Sequence, residues 1–131
     1  MYNKVILIGR IVAAPELHKT NNDKSVARAT IAVNRRYKDQ NGEREADFVN
    51  LVLWGKLAET LASYASKGSL ISVDGELRTH RYEKNGQTNY VTEVLVTGFQ
   101  LLESRAQRAM RENKAGQDLA DLVLEEEELP F

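Results

Sequence analysis

The chain has 131 residues, with 18 Lys plus Arg, 19 Asp plus Glu, two His and no Cys, for a formal charge of -1. That length suits one domain with a core that needs no covalent staples, and the absence of Cys excludes a disulfide framework and thiol chemistry. The near-neutral total does not exclude a polyanionic partner: residues 1–117 hold all 18 basic and 13 acidic residues, a balance of +5, whereas residues 118–131 hold six acidic residues and no basic one.

The first apolar run, Val5 to Ile8, is interrupted by Gly9 and Arg10 and is too short for a secretory signal. No run approaches the roughly 18 apolar residues of a membrane helix, so the expectation is a cytoplasmic protein without a membrane partner. Val5 to Val12 is apolar on both alternating faces and predicts a strand covered on both sides, by a barrel interior and a partner subunit or by two sheets. Pro15 to Lys24 is turn-rich and reads as a loop. Val26 to Asn34 alternates, with Ala27, Ala29, Ile31 and Val33 on a core face and Arg28, Thr30 and Asn34 on a polar one.

Asn41-Gly42 signals a hairpin with charge-rich arms. In the strand that follows, Phe48, Asn50, Val52 and Trp54 share one face and Val49, Leu51 and Leu53 the other. Leu57, Leu61 and Tyr64 recur at helical spacing beside small alanines, predicting a helix over Lys56 to Lys67 that ends at Gly68. Leu70 to Tyr82 is a long strand with Gly75 as a bulge or bend, and Asn85-Gly86 turns the chain into Tyr90 to Phe99, setting Arg81 opposite Tyr90. Five strands with one short helix between the third and fourth is the order of an all-β, five-stranded Greek-key barrel of the OB type; a β-sandwich is the alternative. The expected division is a domain over 1–104 and, from Arg105, a disordered tail over 105–131 with no core of its own and an acidic end.

Enzymatic signatures are missing: there is no phosphate-binding glycine loop, no nucleophile elbow and no H-E-x-x-H zinc motif. Asp74 and Glu76 read as a solvated surface, and His18 and His80 as surface or groove residues. The expectation is a protein that is not an enzyme and uses no metal or cofactor. What remains is aromatic residues set among cations: Tyr37 between Arg35-Arg36 and Lys38, Phe48 and Trp54 with Lys56 beyond, and Tyr82 among Arg78, His80, Arg81 and Lys84. Bases stack on rings while phosphates need cations, so this interleaving suits single-stranded nucleic acid, although core packing of the rings and solvated cations would give the same pattern.

Asn3-Lys-Val-Ile-Leu-Ile-Gly-Arg10, Val52-Leu-Trp-Gly-Lys-Leu-Ala-Glu59, Lys67-Gly-Ser69, Gly75-Glu-Leu-Arg-Thr79 and Leu129-Pro-Phe131 behind four Glu follow in an order that resembles the bacterial-type single-stranded DNA-binding proteins. The resemblance spans residues 1 to about 103 and the last seven. It implies an OB-fold homotetramer that wraps single-stranded DNA without sequence preference. It also implies recruitment of replication, recombination and repair proteins through the acidic tip, here Glu125, Glu126, Glu127, Glu128, Leu129, Pro130 and Phe131. Carried over by position, it places base-stacking rings at Tyr37, Phe48, Trp54 and Tyr82 and backbone-contacting cations at Lys56, Arg78 and Arg81; the residue pattern adds Arg28, Arg35 and Arg36. The long Gly/Gln/Pro-rich linker of many members is replaced by about 20 residues, so a short-tailed paralogue for DNA uptake and recombination in competent cells is an alternative. An OB-fold primosome-type interaction protein is another.

Overall fold

A computed structural model of the chain describes residues 1–113. The elements run β1 (Val5–Ile11), β2 (Glu16–Lys19), β3 (Ser25–Lys38), β4 (Arg44–Trp54), α1 (Lys56–Tyr64), β5 (Leu70–Lys84) and β6 (Gln87–Leu101), followed by a helix α2 over 105–113. The sheet order is β1-β5-β6-β4-β3-β2, and an additional β1–β3 pairing closes it. Only β4 and β6 run parallel; every other pair is antiparallel. The result is a closed five-stranded barrel with a helix between its third and fourth strands, the OB-fold, and β2 is an extra strand outside the closure.

Alternation builds the interior. Ala27, Ala29 and Ile31 of β3, Leu51 and Leu53 of β4, Ile71 and Val73 of β5 and Val94 and Val96 of β6 are buried together with Ile11 of β1. Ala58 and Leu61 of α1 join them, which makes the helix a plug for one end of the barrel. The start of α1 is fixed from β3: the buried Ser25 donates from its hydroxyl to Glu59 at 2.8 Å, and its carbonyl accepts from the Gly55 N–H at 2.8 Å.

The long β5–β6 hairpin turns at Asn85 and Gly86, both at positive φ (55° and 76°), the two-residue geometry these residue types favour, and Arg81 does pair with Tyr90. At Gly75 the ladder shifts from Asp74↔Gly98 to Gly75↔Val96, leaving Thr97 as the extra residue. A Cβ at Gly75 would collide with the Leu95 carbonyl oxygen and the Val94 side chain, so the bulge requires glycine there. The Asn3 amide extends the β1–β5 ladder by side chain, donating to the Leu77 carbonyl at 2.8 Å and accepting from the Leu77 N–H at 2.9 Å.

Three expectations change. The segment read as a loop from Pro15 to Lys24 contains β2, which pairs Glu16–Lys19 with Arg28–Ser25 around a turn held by Thr20 and Lys24. All four β2 residues are exposed, so no burial alternation marked the strand. Helix α1 ends at Tyr64 rather than Lys67: Ala65 is extended, and the Ser66 N–H is taken by the Ser69 hydroxyl at 3.0 Å. Gly68, at φ 88°, belongs to that 66–69 turn and donates to the Ile11 carbonyl at 2.7 Å.

Beyond residue 104 the chain first forms α2, opened by a reciprocal cap in which the Ser104 hydroxyl accepts from the Gln107 N–H and the Gln107 side chain accepts from the Ser104 N–H. Helix α2 buries no apolar side chain. Its arginines bind backbone instead: Arg108 donates to the Tyr64 carbonyl at 2.6 Å and Arg111 to the Lys67 carbonyl at 2.7 Å. The acidic tip, Glu125 to Phe131, lies outside the described residues.

Candidate nucleic-acid interface

The outer face of the β3–β4 hairpin is set by the same alternation that builds the core. Cross-strand pairs on it are Val26↔Trp54, Arg28↔Val52, Thr30↔Asn50 and Ala32↔Phe48. Phe48 is 67% and Trp54 45% exposed, so neither ring is core. Six residues apart on one strand, they stand about 20 Å from each other along the face. Between them the Thr30 hydroxyl bonds the Asn50 side-chain oxygen at 3.0 Å.

Tyr82 (47% exposed) arrives from β5, where Arg78, His80 and Tyr82 share a side with their partners Glu93, Val91 and Asn89 on β6. Tyr37 (83% exposed) sits near the tip of the β3–β4 hairpin, where β3 carries two more residues than β4 between Asn34↔Ala46 and Lys38↔Arg44. The tip itself is tied by the Asp39 carboxylate, which accepts from the N–H groups of Asn41 and Glu43. All four rings named from the sequence are therefore available for stacking.

A cavity of about 400 Å3 lies between these two hairpins and the segment after β1, lined by Val12, Ala14, Arg28, Thr30, Asn50 and Glu93 among others. That is the position in which OB-folds bind oligonucleotides, across strands 2 and 3 of the barrel and between the two flanking loops. Within it Glu93 meets Arg28 at 3.2 Å and His80 at 3.5 Å, and its side chain is only 11% exposed. Sequence reasoning missed Glu93, Asn50 and the cavity. Asn50 was signalled by sharing a face with Phe48 and Trp54; nothing local signalled Glu93, which meets Arg28 across 65 residues.

The cations divide into two groups. Arg28 is bound to Glu93, Arg78 to Glu76 at 2.7 Å, and Arg35 to Asp47 and Glu45, each at 2.9 Å. The hydrogen bond from Arg35 holds the Asp47 carboxyl below its usual range, and the same bond, with the charges of Asp47 and Glu45, raises the guanidinium further. Arg36, Lys56 and Arg81 make no ion pair among the described residues, and neither do Lys38 and Arg44 at the hairpin tip or Lys24 and Lys84. Arg81 differs from Arg78 in side, facing the opposite surface of its hairpin with Tyr90. Among the described residues no group of three or more His, Asp or Glu side chains is placed to hold a metal ion, and no helix is long and apolar enough to cross a membrane.

The profile of a family described as "Single-strand binding protein family" matches residues 2–102 of the chain. A "Single-stranded DNA-binding protein 2" of Streptococcus agalactiae serotype V is 75% identical over 131 residues, covering both chains in full. A "Single-stranded DNA-binding protein 1" of Streptococcus pyogenes serotype M6 is 72% identical, again over the whole of both chains. A "Single-stranded DNA-binding protein" of Streptococcus mutans serotype c is 50% identical over 114 residues, 86% of this chain and 70% of that one.

Proposed function

Because this chain belongs to the single-strand binding protein family, we propose that it binds single-stranded DNA without bond cleavage, stacking bases on exposed rings and neutralising phosphates with the cations between them. The observation that carries this reading is the outer groove, where Phe48, Trp54 and Tyr82 stay exposed beside the cavity. Stacking contributes about 1–3 kcal/mol per base and tolerates any sequence, while counterion release makes affinity fall as salt rises. Titration with oligo-dT and with duplex of equal length, followed by the fluorescence of Trp54, is the test. The expected result is quenching and much tighter binding of the single strand, weakening with salt; equal affinity for duplex, or neither quenching nor a mobility shift, overturns it.

The working unit on this reading is a homotetramer in the cytoplasm. Ile6 and Ile8 are exposed on β1, and β1 pairs with β3 only at Arg10 and Ile11, so Val5 to Gly9 offer an apolar face on a strand with an unpaired edge. Light scattering run alongside the titration should give four times the 14.8 kDa chain mass. The tip from Glu125 to Phe131 recruits replication, recombination and repair proteins. A second reading, a paralogue serving DNA uptake and recombination in competent cells, rests on the short segment, about 20 residues, that separates the barrel from the acidic tip.

A further inference from the structure

Side chains from β3, β5 and β6 meet on the outer face of the barrel around one carboxylate. Glu93 of β6 is only 11% exposed and has a different partner at each oxygen: Arg28 of β3 donates to Oε2 at 3.2 Å, and the His80 ring of β5 stands 3.5 Å from Oε1. Strand β4 lies between β3 and β6, so the Arg28 side chain crosses it to reach Glu93. A carboxylate withdrawn from water costs free energy unless it is paired, and Arg28 is the permanently charged partner. His80 is charged only when protonated. On its own strand His80 shares a side with Tyr82 and with Arg78, which is bound to Glu76 at 2.7 Å, and its partner across the ladder is the uncharged Val91. Glu16, which lines the same cavity as Arg28 and Glu93, is paired with the other histidine, His18, at 3.7 Å.

The cluster therefore has two charge states. With a neutral imidazole, Arg28 and Glu93 cancel and the site offers a phosphate no net attraction. With a proton on His80 the sum becomes +1, on a half-exposed side chain that lies on the Tyr82 side of β5. A neighbouring phosphate favours the protonated form, and by linkage the protonated form favours the phosphate. We propose that His80 is a proton-gated phosphate contact, at which the strand takes up a proton as it binds, and that Glu93 is the positioning residue that keeps two mutually repelling cations, Arg28 and the His80 imidazolium, side by side. This rests on the groove being the strand-binding surface. It favours no base, since a phosphate carries no sequence information. Affinity then rises as pH falls, because histidine gains its charge between about pH 8 and pH 5.

Thymine takes up no proton in this range, so titration of the full chain with oligo-dT at fixed salt, from about pH 8.5 to about pH 5.5, isolates the protons of the protein. Wild-type affinity should rise about threefold or more toward the acid end, the effect of one screened charge pair, and the slope of log K against log salt should steepen there by about 0.7. His80→Gln should flatten the profile. His80→Arg, which stays charged throughout, should also flatten it, but at a higher affinity than His80→Gln, and His18→Gln should keep the wild-type profile. Glu93→Gln should move the rise to lower pH, because the imidazolium then stands near Arg28 with no carboxylate between them. Wild-type binding that is independent of pH, or a rise that persists in His80→Gln, overturns the proposal. A Glu93→Gln profile that coincides with the wild type overturns the part given to Glu93. Duplex bound as tightly as the single strand instead overturns the reading of the groove.

Discussion

Neighbouring arginines in one strand can have opposite duties. Arg35 is held by two carboxylates near the tip of the β3–β4 hairpin, so engaging a phosphate would mean giving up a bidentate bond; Arg36 has no ion pair among the described residues to give up. Replacing Arg36 with Ala should therefore lower affinity for oligo-dT and reduce the slope of log K against log salt by about 0.7, the share of one single-strand phosphate. Replacing Arg35 with Ala should leave that slope nearly unchanged and loosen the hairpin, read as faster amide exchange in residues 35–47. A full unit-phosphate loss for Arg35 and none for Arg36 would reverse the assignment. That Phe48 and Trp54 share a face was legible from strand alternation, but their exposure was not, since core packing of the rings would give the same pattern. The pairing of Arg35 with Asp47 and of Arg28 with Glu93 was not, since each joins positions that only the folded registers bring together.

Among the elements, α2 is attached by charge rather than by packing, and Glu103 is the centre of that attachment. It accepts from the Leu70 N–H at 3.0 Å and from Arg111 at 3.0 Å, with Arg10 at 3.8 Å. Burial disfavours its ionised form, but the bonds from Leu70 and Arg111 and the charge of Arg10 outweigh that and hold the carboxyl below its ordinary range. A lowered carboxylate pKa stabilises the fold above the unfolded value of about 4.3 and stops doing so as pH falls through the lowered folded value. Glu103→Gln should thus cost about 1 kcal/mol at neutral pH after solvent screening, with the gap between variant and wild-type melting temperatures closing below about pH 4. A gap that persists unchanged in acid would show that Glu103 acts by shape alone. The barrel strands were readable because alternate residues of each barrel-forming stretch are core. Strand β2 and the true end of α1 were not, because exposed backbone pairing and a local serine bond leave no apolar pattern.

At the scale of the molecule, a body of charge +5 carries an end of charge -6 on the same chain. Opposite charges attract over a Debye length of about 8–10 Å in physiological salt and over a longer range when salt is dilute. Removal of residues 118–131 should then tighten oligo-dT binding a fewfold in dilute buffer and leave it nearly unchanged at physiological salt. Weaker binding after truncation would rule out competition between the end and the groove.

The barrel is fastened unevenly. Strands β5 and β6 are matched from Ile71↔Leu101 to Lys84↔Gln87, yet β4 and β6 are matched only at Leu51↔Val94 and Val52↔Leu95. The cavity opens immediately beside that short seam, where Asn50 and Glu93 begin to diverge. On the reading proposed above, the two rungs that join the hairpins, rather than the long β5–β6 ladder, fix the width of the groove offered to a strand.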